Sequence, residues 1–161
     1  MAAPLTQEVL QSVVEHAMRD IMPRVGGITL LRGGSPPMGE LYTVHTAFDG
    51  ETPVNLSLCA NAAAFTHLTQ HMMGQEQIAP ADLEDAAKEF FNVLCGHVAV
   101  ELFHVTKVSY RFRIPRFSGG RQLPREQEWQ FALNYSGDKD ERIQIVQHTG
   151  ASSDARNKTE I

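Results

Sequence analysis

Glu89 and Asn92 stand one helical turn apart in a segment, Asp82 to Phe103, whose other residues are largely apolar. An ionised carboxylate only accepts hydrogen bonds. A side-chain amide donates and accepts without changing its protonation state. The sequence itself shows only that these two side chains share one exposed face. Asp85 lies one turn before the pair and Gly96 one turn after it. At 100° per residue, these four positions fall within an arc of roughly 60°. Leu83, Ala87, Phe90, Phe91, Leu94, Val98 and Leu102 gather on the opposite side, which must face a core. A glycine inside a helix costs about 1 kcal/mol relative to alanine. Helices usually accept that cost where something approaches the backbone closely. For an isolated E-x-x-N, an ordinary solvated face is the default reading, and the spacing alone does not overturn it.

Other groupings carry less. His67-x3-His71 puts two imidazoles one turn apart, but no third ligand follows from the sequence, so coincidence is the preferred reading. Cys95 and His97 point about 160° apart on a helix, which excludes a Cys–His dyad. The pairs Gly26-Gly27, Gly33-Gly34 and Gly119-Gly120 form no phosphate-binding fingerprint. Arg111, Arg113, Arg116, Arg121 and Arg125 make a basic stretch in an otherwise acidic chain. It reads as a solvated strand face that is also able to meet an acidic protein.

The elements that must position these residues follow from periodicity. Thr6 caps a first helix over about Gln7 to Met22, ended by Pro23 and Gly26-Gly27. Ile28 to Leu31 is a short strand candidate. Leu41 to Phe48 and Val54 to Leu58 are strands joined at Asp49-Gly50. Asn61 caps a helix closed by Gly74, and Pro80 and Asp82 open the motif helix. Strict alternation predicts a half-buried strand over Lys107 to Ile114, with Val108, Tyr110, Phe112 and Ile114 inward. Trp129 to Tyr135 and Ile143–Ile145 form a hairpin with a polar tip. The expected fold class is α+β: a predominantly antiparallel sheet with long helices packed on one side. One domain is expected over residues 1–150, with 151–161 a flexible tail.

Composition narrows the function classes. The 161 residues, 42% hydrophobic and 20% charged, suit one globular domain. A net charge of −5 disfavours an extended nucleic-acid surface. No apolar run approaches the roughly 18–20 residues that span a bilayer. The first residues lack the pattern of a signal peptide. Cys59 and Cys95 read as buried, reduced thiols, and the expected compartment is the cytoplasm.

Asp85-x3-Glu89-x2-Asn92-x3-Gly96, in a helix opening D-L-E, resembles the signature of the CheC/CheX/FliY chemotaxis phosphatase family, and its single copy resembles the CheX-like branch. Ala60–Gly74, ending Met-Met-Gly, is similar to the family's other helix. Phe112–Leu123 is similar to the strand, proline and glycine segment after the motif helix, and the likeness spans about residues 5 to 148. It implies hydrolysis of the aspartyl phosphate of a CheY-type response regulator. Asn92 would hold a water in line with the P–O bond, as an amide does in a GTPase. Glu89 would pair with a lysine of the partner. Asp85 and Gly96 would frame the docking surface. Lys88, Phe90 and Phe91 stand where the family commonly has small residues; Phe91, toward the flank of the arc, would either obstruct a docking partner or grip it, and Lys88 and Phe91 are counted among the partner-binding residues. The chain itself would bind no cofactor or metal; Mg²⁺ would sit on the phosphorylated partner. A CheX-like domain that binds a receiver without hydrolysis is the alternative, and a homodimer is open.

Overall fold

The computed structural model describes residues 3–50 and 53–149, so the expected tail at 151–161 lies outside the described residues. The element order is α1 (Gln7–Ile21), β1 (Leu31–Arg32), β2 (Leu41–Asp49), β3 (Val54–Asn61), α2 (Ala62–Met73), α3 (Pro80–Thr106), β4 (Arg111–Phe112), β5 (Arg116–Gly119), β6 (Trp129–Ser136) and β7 (Arg142–His148). The three helices pack against a seven-stranded antiparallel sheet of order β1-β6-β7-β3-β2-β4, with β5 also paired to β2. The α+β architecture expected from periodicity is the one observed.

Alternation along the strands sorts the two sheet faces. Val44, Leu56, Leu58, Leu133, Tyr135, Ile143 and Ile145 enter the core shared with the helices. Their neighbours Thr43, Ser57, Cys59 and Gln144 point to the other face yet are also buried. There Thr43 Oγ1 donates to Gly120 O at 2.8 Å and accepts from Gln122 N at 3.0 Å, tying the segment after β5 across that face. Cys59 and Cys95 are buried free thiols, both raised by desolvation, Cys95 well above the usual thiol value.

Local chemistry sets the helix ends. Thr6 accepts from Val9 N at 3.1 Å and Asn61 from Ala64 N at 3.1 Å, as the capping residues predict. Pro23 does not stop the first helix at once. The chain widens into a π-helical turn over Met22–Gly26 and ends at Gly27, whose φ of 74° is left-handed. A Cβ on Gly27 would lie 2.4 Å from the His71 ring, so both conformation and space require glycine there.

The strand expected over Lys107 to Ile114 shrinks to Arg111–Phe112. Lys107 closes α3 in the left-handed region, and Pro115 precedes β5, leaving two residues to pair with the end of β2. Val108 and Ile114, expected inward, are exposed instead.

The tip between β6 and β7 is fastened from inside. Glu141 is buried, accepts from Lys139 N at 2.7 Å and meets His67 Nδ1 of α2 at 2.6 Å. Burial alone would raise its pKa. The hydrogen bonds from His67 and the backbone, with the attraction of His67, outweigh burial and hold it below 4.5. A depressed carboxylate contributes stability above its unfolded value and loses it as pH falls through the folded one. Glu141→Gln should therefore lower stability at pH 7 by roughly 1–3 kcal/mol. The gap to the parent should close as pH drops below 4.5, in melting curves recorded across pH.

Candidate functional site on the third helix

The site helix α3 runs 27 residues and begins where Asp82 Oδ2 accepts from Ala79 N at 2.9 Å. It packs against both α1 and α2 and reaches β2, β4 and β5. Phe90, Phe91, Leu94, Val98 and Leu102 are fully buried along one side. With that side fixed, Asp85, Glu89 and Asn92 face solvent, and Gly96 is half-buried beyond them. The structure thus places these four sequence-predicted residues on one open face. Among the described residues, no side-chain hydrogen bond or ion pair engages Asp85, Glu89 or Asn92.

One expected contact residue is corrected. Phe91 is 0% exposed and belongs to the core, not to the flank of the open face. It lies about 120° from Asp85 around the helix, and burying a phenyl ring is worth about 1.5–3 kcal/mol, which decides its side. Phe90 is likewise buried. Lys88 is half-buried and pairs with Glu84 at 3.2 Å, so it rims the face with its charge already partnered within the helix. With Glu84, Asp85 and Glu89 against Lys88 alone, the open face is acidic.

The open face also extends further than the motif. Val100 is 57% exposed and Phe103 45%, one and two turns beyond Gly96 on the same arc. The signal was in the sequence as positions i+4 and i+7 from Gly96. It becomes meaningful only once those residues are known to be uncovered. The face is the outward side of a helix, and none of its residues lines the clefts beside α2 and β2. A cleft of about 680 Å³ lies elsewhere, between α2 and the β6–β7 tip, lined by His67, Gln70, His71, Lys139 and Glu141. His67 and His71 do not converge on a metal there. His67 serves Glu141, while His71 packs on Gly27.

Gly96 is not required by internal packing. A Cβ built on it would meet only Phe112 Cζ, at 4.0 Å, an ordinary contact.

The chain matches the family described as Chemotaxis phosphatase CheX over residues 42–133, a stretch that contains the open face and the strands beneath it. It belongs to the CheX family. CheX from Vibrio vulnificus has a similar structure, with TM-score 0.74 at 12% identity, covering 90% of this chain and 99% of that one. CheX from Desulfovibrio desulfuricans gives 0.70 at 13%, covering 86% and 99%. The CheX of a CheX–CheY–BeF3–Mg complex from Borrelia burgdorferi gives 0.63 at 14%, covering 88% and 95%. At such identities these likenesses speak to the fold. No curated protein matches the sequence. Among the described residues, no helix is long and apolar enough to cross a membrane.

For this CheX-family chain, Gly96→Ala should fold normally and gain up to about 1 kcal/mol from helix propensity. Chemical denaturation of the pair measures it; a loss of stability would show that the glycine serves the fold itself.

Proposed function

We propose that this CheX-family protein hydrolyses the aspartyl phosphate of a CheY-type response regulator in the cytoplasm, with Asn92 and Glu89 as the residues that carry the activity. The observation that supports this reading most directly is the exposed, unengaged carboxylate–amide pair on a helix immobilised along its whole opposite side. The Borrelia relative, whose structure is a complex with CheY, supports the class of partner.

The chemistry asks little of this chain. An acyl phosphate already has a good leaving group, and Mg²⁺ held by the partner neutralises the phosphoryl oxygens. What is missing is a water fixed in line with the bond to be broken. The carbonyl of Asn92 accepts a proton of that water in a hydrogen bond, and its NH₂ donates to a phosphoryl oxygen. Neither step needs Asn92 to change its protonation state. Glu89, one turn away, pairs with a lysine beside the partner's phosphorylation site and sets the register that Asn92 needs. Asp85 and the rim residue Lys88 contribute to docking, and Gly96 lets the partner's backbone come close. An exposed, acidic helix face fits a folded protein substrate better than a metabolite.

A second reading, a domain that binds a receiver without hydrolysing it, keeps the same docking face. Lys88, placed beside Glu89 and drawn to Glu84, is the feature that favours it.

The deciding experiment follows loss of phosphate from a labelled receiver domain in Mg²⁺. Wild type should accelerate the loss, while Asn92→Ala should abolish the acceleration and still bind the phosphorylated domain. A variant that turns over at the wild-type rate would remove Asn92 from the mechanism; binding with no acceleration by wild type would favour the second reading. Glu89→Ala should weaken both affinity and turnover, by roughly 1–3 kcal/mol for loss of a charge-assisted contact. Unchanged affinity in titration calorimetry would count against the pairing role. Light scattering on the free protein reports whether it forms the homodimer that the resemblance leaves open.

A further inference from the structure

A second group of chemically capable side chains lies away from the open face, where α1 meets α3. His16 and Asp20 are one turn apart on α1; His97 and Glu101 are one turn apart on α3. The two pairs oppose each other across the helix contact. His16 Nδ1 lies 2.9 Å from Glu101 Oε1. His97 Nε2 lies 3.4 Å from the same oxygen and 3.8 Å from Asp20 Oδ2. The imidazole centroids are 6.2 Å apart with planes inclined at 48°, so the rings converge without stacking. One ligand atom each from His16, His97 and Glu101 falls within a 4.8 Å sphere of the others.

We propose that these residues form a binding site for a divalent transition ion of the Zn²⁺ class, clamping α1 to α3. Two neutral imidazoles with carboxylate oxygen are donors that suit such an ion and serve Mg²⁺ or Ca²⁺ poorly. Bonds of about 2.0–2.1 Å to a tetrahedral centre separate the ligand atoms by roughly 3.3 Å. Glu101 Oε1 lies 2.9 Å and 3.4 Å from the two imidazole nitrogens, on either side of that value, and all three ligand atoms lie within 4.8 Å of one another, so modest side-chain shifts complete the set. His97 Nε2 supplies a further reason. It is buried and makes no hydrogen bond, although two carboxylate oxygens stand near it. An ion at the centre would satisfy that nitrogen and share the Glu101 carboxylate with it.

Asp20 Oδ2 also holds Arg24 at 2.9 Å. His16, His97 and Glu101 are therefore the core ligands, with Asp20 joining when Arg24 releases it and water completing the shell otherwise. The His16 side chain is 65% exposed, which gives an ion a route from solvent. His97 adjoins Gly96 in sequence but is turned 100° away from it around the helix, so the ion would sit beside the docking face and not on it. It takes no part in phosphoryl transfer. Its effect is to fix α1 against the helix that carries Glu89 and Asn92.

The test uses the full chain without a histidine tag, stripped with EDTA and dialysed. Calorimetric titration with Zn²⁺ should give one saturable site, and Zn²⁺ should raise the melting temperature where equal Mg²⁺ does not. His16→Gln and Glu101→Gln, both at accessible positions, should each weaken Zn²⁺ binding at least about tenfold, with circular dichroism unchanged. His67→Gln with His71→Gln should leave it intact. Substituted Co²⁺ should show the visible absorption of a low-symmetry site in the parent and lose it in His16→Gln. Absence of saturable Zn²⁺ binding, or binding indifferent to His16→Gln and Glu101→Gln, would overturn the site and leave the cluster as histidine–carboxylate pairing alone.

Discussion

Everything the open face offers depends on the burial of the other side of α3. Phe90, Phe91, Leu94, Val98 and Leu102 have no accessible surface, and at about 1.5–3 kcal/mol per large apolar side chain they set the helix's rotation about its own axis. Turning the helix by one residue would bring Phe90 or Phe91 into water and push a carboxylate or amide into the core. Both changes are costly, and they act together. Asn92 therefore needs no neighbour to hold its backbone in place. Its position is set by the summed packing of side chains that point away from it.

That division explains why so much was legible in advance. The apolar spacing of Leu83, Ala87, Leu94, Val98 and Leu102 fixed both the helix and its outer residues, and alternation at Trp129–Tyr135 fixed the inner face of β6. The caps at Thr6 and Asn61 were readable because one side-chain oxygen with one backbone N–H is a local bargain. The open face could be placed because it is the complement of the apolar one. Its activity cannot be read in the same way, since nothing within the chain depends on Asn92 being an amide.

Where the structure departs from the sequence pattern, residues distant in sequence decide the outcome. Phe91 sat near a boundary that only the approach of neighbouring elements could assign. The alternating run Lys107–Ile114 looked like a long strand, but the end of β2 offers it only two paired positions. The His16–His97–Glu101 group was invisible because its members come from helices about 80 residues apart, and no short spacing announces an inter-helix contact. The one local signal, His67-x3-His71, is the coincidence its spacing suggests, since the two imidazoles have unrelated tasks.

The sheet has a further property at its borders. It ends in the two-residue β1 on one side and in the short β4 and β5 on the other. Arg111, Arg113 and Arg116 stand along that second border, with Arg113 held to Asp49 at 3.4 Å. At that border an incoming extended chain would find few successive free N–H and C=O groups, framed by guanidinium groups that resist close backbone approach. Growth of the sheet across that border is therefore poorly templated. The outward side of α3 belongs to neither border and stays uncovered, available for recognition.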